Sequence, residues 1–221
     1  MTTAIIGAGN IGGALARELV AGGERVVIAA RDESDAAALA RGLGELASAA
    51  PVREAIQAAD VIVFAVWFDA LKELLARDGD LLGGKVVVDP SNPMGFDEKG
   101  EPFRTLPDER SQASIVAALL PSGARYVKAF GSLGADSLAH EANRKPRRAV
   151  LFYATDDDES GAVVERLITA AGFDPVKVGG VVAAGRIEVP GGDLHQYGGL
   201  NGKVLDLGEA RAAIAGTHAA A

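Results

Sequence analysis

Near the amino terminus an apolar run stops at a glycine-rich turn, and a helical pattern begins inside that turn. Residues 4–34 read AIIGAGNIGGALARELVAGGERVVIAARDES. The turn is Gly7-x-Gly9-x-x-Gly12, and few folds place glycines this way between a strand and a helix. Gly7 permits the tight turn, Gly9 lets the backbone approach a pyrophosphate, and Gly12 lets helix and strand pack closely. The free N–H groups near Asn10 and Ile11 then face the phosphates. With a strand before, a helix after and a second strand at 25–30, the spacing predicts a dinucleotide site.

The second strand ends at Ala30, where a site preferring NAD carries an acid that bonds the ribose 2′-OH. This chain continues with Arg31 instead. A guanidinium matches phosphate geometry and keeps its charge, and Ser34 adds a hydroxyl. That pair predicts a 2′-phosphate pocket and hence NADP. Asp32 would take a 2′-OH only by turning inward.

The same rhythm runs down the chain. Apolar runs at 3–8, 25–30, 60–66, 85–89, 126–130, 149–154 and 175–178 lack clean alternation, which suits parallel strands covered on both faces. Helical patterns lie between them at 11–21, 34–43, 51–58, 68–77, 112–120 and 158–171. Alternation of this kind predicts an α/β fold, a doubly wound parallel sheet with right-handed crossovers. The 221 residues divide into a dinucleotide-binding domain over 1–178 and a small glycine-rich C-terminal extension over 179–221. The ending, IAGTHAAA, reads as frayed. Two stretches without a period, 90–111 and 179–202, are candidate functional loops.

In such a sheet, ligands sit beyond the carboxyl ends of the strands. Ala65 and Val66 are small enough for a cofactor to lie across their strand end. Trp67 either walls a ring or packs in the following helix. Asn92 and Ser132 carry groups that can bond a carboxamide or a substrate carbonyl. Of the histidines, His195 in GGDLHQYGG is a candidate proton relay with Asp193 or Tyr197. His140 belongs on a helix surface, and His218 lies in the tail. Asp156, Asp157, Asp158, Asp108 and Glu109 read as helix caps and solvated loop acids, so no metal is expected. Hydride transfer between ring cofactors needs positioning more than acid–base groups, so no catalytic residue is required.

The net charge of −8 makes nucleic acid a poor partner. Cysteine is absent, which excludes disulfides and thiolate chemistry and fits a cytoplasmic location. No apolar run is long enough for a membrane span, and the start carries no secretory pattern. The expected partners are small-molecule cofactors. A homodimer is expected because an apolar, glycine-rich C-terminal segment would otherwise be exposed.

The motifs GAGNIGGALA, AARDES, DPSNP and VKAF, followed by the helix 158–171 leading to AGFDP, resemble the deazaflavin-dependent NADP oxidoreductases, the NADPH-dependent reductases of coenzyme F-420. The resemblance covers roughly 3–178. It implies the Rossmann NADP-binding fold, NADP as cofactor and a deazaflavin as second substrate. Gly9, Asn10, Ile11, Arg31 and Ser34 fall on cofactor-binding positions, and the C-terminal element closes over the second ring near Asn92 and Ser132. The same module occurs in ferric reductases of the STEAP type, and the N-terminal part of pyrroline-5-carboxylate reductases is similar. The family's VKAFNT becomes VKAF-Gly131-Ser132 here, which predicts open space beside the nicotinamide. Two further readings stay open, an NADPH-dependent reductase of a flavin, imine or small carbonyl compound and a non-catalytic NADP sensor.

Overall fold

The structure is a computed structural model that describes residues 1–107 and 109–218, with side chains to 216. Asp108, grouped above with the loop acids, and the side chain of His218 lie outside the described residues. β1 (Thr2–Ile6), α1 (Asn10–Ala21), β2 (Arg25–Ala29), α2 (Glu33–Leu43) and β3 (Ala47–Ala49) form the first winding. α3 (Val52–Ala58), β4 (Val61–Phe64), α4 (Phe68–Asp78) and β5 (Val86–Asp89) form the second. A hairpin of β6 (Met94–Phe96) and β7 (Pro102–Arg104) leads to α5 (Gln112–Leu119), β8 (Arg125–Ala129) and α6 (Ala135–His140). The chain continues through β9 (Val150–Ala154), α7 (Asp158–Ala170), β10 (Asp174–Gly179), a 3-10 turn at Val181–Ile187 and α8 (Leu207–His218).

Among the described residues the main sheet has eight strands in the order β10-β9-β8-β5-β4-β1-β2-β3. Helices cover both faces, and the fold is Rossmann-like. Alternate strand residues feed separate cores, as the unbroken apolar runs require. Ile5, Val63 and Val88 enter one core with Leu15 and Leu19 of α1. Ile6, Ile62 and Val87 enter the other with Ile56 of α3 and Leu71 of α4. Asp157 caps α7 by accepting from the Ser160 N–H, one of the two acids expected there.

The all-parallel expectation fails at one edge. β9 runs antiparallel to β8, and β10 follows β9. The reason lies in the connection. α6 has six residues and spans about 9 Å at 1.5 Å per residue. A five-residue strand spans about 17 Å, so α6 cannot carry the chain back across the sheet for a parallel return.

The C-terminal extension also differs from expectation. Ala184, Ile187, Leu194, Leu205 and Ala210 are buried in the second core. The chain covers its own apolar C-terminal surface, which removes the reason given above for a dimer. Residues 214–218 of the ending belong to α8, and 219–221 lie outside the described residues.

Candidate active site

Gly9 to Ile11 follow β1 and Ala65 to Trp67 follow β4, neighbouring strands where the order reverses. A cavity of about 810 Å³ opens beyond their carboxyl ends. The glycine turn has the geometry its spacing implies. Gly7 sits at φ +112°, where a Cβ would lie 2.3 Å from the Ala65 carbonyl oxygen. A Cβ on Gly12 would lie 1.8 Å from the Gly7 oxygen, so helix and turn touch there. A Cβ on Gly9 would meet nothing within 4 Å. No protein atom therefore demands a glycine at position 9. The start of α1 has no side-chain cap and no acid in its first turn, and Gly9, Asn10 and Ile11 line the cavity. Open donors at a helix start suit an anion, so these residues fit a dinucleotide pyrophosphate.

Arg31, Asp32 and Ser34 stand together at the end of β2, exposed and outside the cavity walls. Asp32 does not turn inward. It caps α2 by accepting from the Ser34 N–H at 2.9 Å and the Ser34 hydroxyl at 2.7 Å, and those bonds hold its carboxyl below the usual range. The Ser34 proton is thereby used, while Arg31 keeps its guanidinium unpaired among the described residues.

The cavity floor comes from the strand ends. Ala65, Val66, Pro90, Ser91, Asn92 and Gly131 line it. Gly131 does not leave open space, which corrects the expectation drawn from its departure from VKAFNT. Phe130 turns the chain at φ +65°, and a Cβ on Gly131 would lie 2.3 Å from the Pro90 oxygen. The backbone of one strand end fills what a side chain would need. Ser132 also departs from expectation. It is 1% exposed, lies outside the cavity, and its hydroxyl accepts from Phe152 N–H at 3.2 Å. Asn92 does line the cavity, but its amide ties two loops together. It donates to the Gly131 oxygen at 3.0 Å and accepts from the Val189 N–H at 3.1 Å.

The mouth is apolar. Met94 and Phe96 of the hairpin face Trp67 across it, and the rings of Trp67 and Phe96 meet edge-on with centroids 6.2 Å apart. Val189, Pro190, His195 and Tyr197 of the C-terminal segment form the remaining wall. No Asp, Glu, Lys or Arg lines the cavity among the described residues.

His195 is 2% exposed. Its Nδ1 accepts from the Tyr197 N–H at 3.0 Å, which leaves the ring proton on Nε2. Burial and the nearby Lys128 ammonium lower its pKa to about 4, so the ring is neutral. Asp193 pairs with Arg186 instead of His195. Nδ1 is thus committed to the backbone and Asp193 to Arg186, which leaves no relay through His195 to Asp193.

Behind the floor lies a buried charged network with no counterpart in the sequence expectations. Asp89 accepts from Tyr126 Oη at 2.8 Å and from Lys128 Nζ at 3.3 Å. Lys128 also donates to the Ser91 carbonyl. Glu188 accepts from the Ser111 hydroxyl and from the N–H groups of Gln112 and Ala113 at 2.8–3.1 Å. It caps α5 from 76 residues away in sequence and pins the C-terminal segment beside the cavity. The available signal was Lys128, a charge inside the apolar strand YVKAF.

Comparisons with known proteins bear on the family and the fold. The family model for NADP oxidoreductase, coenzyme F420-dependent, matches residues 2–93. A hypothetical protein of Sinorhizobium meliloti is 34% identical, covers 93% of this chain over 95% of its own, and superposes with a TM-score of 0.80. A protein of Arthrobacter sp. FB24, provisionally described as an F420-dependent NADP reductase, is 21% identical over 82% of this chain and 86% of its own, with a TM-score of 0.71. At that identity it speaks to the fold alone. Metalloreductase STEAP3 of Rattus norvegicus is 32% identical over 184 residues, 83% of this chain and 35% of that protein. The chain spans about a third of that curated relative. Residues 2–93 thus match the family of NADP oxidoreductases described as coenzyme F420-dependent, and the whole chain is akin to the Sinorhizobium meliloti protein.

Proposed function

We propose that this protein passes a hydride between NADP(H) and a deazaflavin of the 8-hydroxy-5-deazaflavin type. One observation carries the reading. The cavity is apolar, uncharged and rimmed by aromatic side chains, and it adjoins the uncapped start of α1. Such walls suit two flat rings stacked on each other. A volume of about 810 Å³ lies within the range of pockets that hold drug-sized ligands. The absence of charge disfavours small carboxylate substrates, which need a cation to anchor them.

Bound NADPH supplies the hydride, and the chain supplies placement. The start of α1 would hold the pyrophosphate, and Gly9 leaves it room. Arg31 would bind the 2′-phosphate at the far end. Ala65, Val66 and Pro90 would support the nicotinamide, with Asn92 locking the loop beneath it. Trp67, Phe96 and Tyr197 would enclose the second ring and exclude water. Reaching a stack with the reacting carbons about 3–3.5 Å apart accounts for most of the available rate gain.

The test is NADPH oxidation by the purified protein with the deazaflavin, with FMN and a cyclic imine run beside it. Loss of deazaflavin absorbance at a rate well above that of the other two is the expected result. Reduction of FMN or the imine with an inert deazaflavin replaces the acceptor. Tight NADPH binding with no acceptor reduced makes the protein a sensor.

A further inference from the structure

Two-electron reduction of a conjugated acceptor consumes a hydride and a proton, and the cavity holds few dissociable protons. Ser91 gives its hydroxyl proton to Asp89. His195 is buried and neutral, so it carries no readily dissociable proton. Tyr197 differs from both. Its phenol has no hydrogen-bond partner among the described residues, it lines the cavity, and it is 61% exposed.

The position of Tyr197 is built with care. Its ring packs against Gly134, where a Cβ would come within 2.3 Å of its Cε2. Its N–H is held by His195 Nδ1 at 3.0 Å, and the His195 ring is 2% exposed. The preceding Gln196 accepts from the Gly134 N–H at 2.9 Å and donates to the Ser137 hydroxyl at 2.8 Å. Three consecutive residues are thus fixed so that the third presents an uncommitted phenol at the cavity mouth.

We propose that Tyr197 is the proton donor of this site and that His195 is the residue that positions it. The inference rests on the reading of the cavity as a hydride-transfer site. The acceptor carbon gains the hydride that NADPH provides, forming the new C–H bond. The hydride adds to the alkene terminus of the acceptor's C=C–C=N system, the C=C pair moves inward, and the C=N pair is displaced onto the ring nitrogen. That nitrogen takes the phenolic proton of Tyr197, leaving NADP⁺, the reduced acceptor and a phenolate. Water restores the proton, since the phenol reaches solvent. A phenol keeps its proton at neutral pH and can act as a general acid there.

The experiment compares the full-length chain with Tyr197→Phe, which keeps the ring and loses the proton. General acids contribute about 100-fold or more, so kcat should fall by that order while the NADPH dissociation constant stays unchanged. The wild-type rate should decline at alkaline pH, and that limb should be missing from the variant. Binding of the oxidised acceptor to the NADP⁺-loaded protein, read by Trp67 fluorescence without turnover, should weaken about two- to ten-fold for one lost hydrogen bond. Equal kcat and an identical pH profile in both proteins overturn the role of Tyr197 and leave the hydride-transfer reading standing. A wild type that binds NADPH and reduces none of the acceptors overturns both.

Discussion

Gly9 and Arg31 answer different questions about the same ligand. Nothing in the protein fills the space at Gly9, so Gly9→Val should leave thermal unfolding unchanged and abolish binding of both NADPH and NADH. Arg31 would touch a single phosphate. Charged hydrogen bonds contribute about 1.5–3 kcal/mol, so Arg31→Ala should weaken NADPH about ten-fold or more and barely change NADH. Titrating both cofactors against both variants checks the assignment, and equal NADPH binding by either variant and the wild type contradicts it there. His195 yields a pH prediction. Its folded pKa of about 4 lies below its ordinary 6.5, so the unfolded chain binds a proton that the folded chain refuses. Its contribution is complete above pH 6.5 and is lost as pH falls towards 4, where it levels off. At 1.36 kcal/mol per unit the loss reaches about 3 kcal/mol. His195→Asn keeps an acceptor for the Tyr197 N–H and has no such titration. Urea unfolding at pH 7 and pH 4.5 should therefore show a smaller drop in the variant than in the wild type.

The N-terminus of α5 shows how segments far apart in sequence share one job. Ser111 is at the cap position but makes no side-chain bond to the helix N–H groups. Glu188 makes those bonds instead. Lys128 lies 3.9 Å from its carboxylate, so the cap is also tied to Asp89 and the cavity floor. Glu188→Gln would turn an NH₂ group towards one of two backbone donors. That should cost about 2–3 kcal/mol in urea or thermal unfolding, the scale of a charge-assisted bond left unmade. The acceptor KM should rise as the wall formed by Val189 and Pro190 loosens. An unchanged midpoint would show that Glu188 is replaceable at the helix start. α6 carries the complementary lesson. It is too short to return the chain across the sheet, and the β9–β10 edge reverses as a consequence.

Across the molecule, charge and aromatic surface are sharply separated. The chain carries a net charge of −8, yet the cavity walls carry none among the described residues. The exposed rings of Trp67, Phe96 and Tyr197 meet at its mouth. Trp67 is the single tryptophan, so intrinsic fluorescence reports on that mouth. Binding of NADP⁺ with an acceptor analogue should shield Trp67 from acrylamide and lower its quenching constant. Quenching that is unchanged at saturation would place the second ring elsewhere.

Local sequence determined the first half of the site. A strand, three glycines at fixed offsets and a helix leave one sterically allowed turn, and its contacts are between near neighbours, so Gly7, Gly9 and Gly12 were legible by spacing alone. The apolar runs likewise determined a sheet covered on both faces. Direction at the β9 edge was not legible, because it depends on the length of a connection whose helix has no strong pattern. The cavity wall from Val189 to Tyr197 was legible only as a glycine-rich loop. Its path is set by Glu188, Gln196 and Asn92, each bonded to a partner about 60 to 100 residues away. Ser132 illustrates the limit. Its place at a strand end was readable, but which side of the chain its hydroxyl faces was decided by β9 arriving antiparallel beside it and offering the Phe152 N–H.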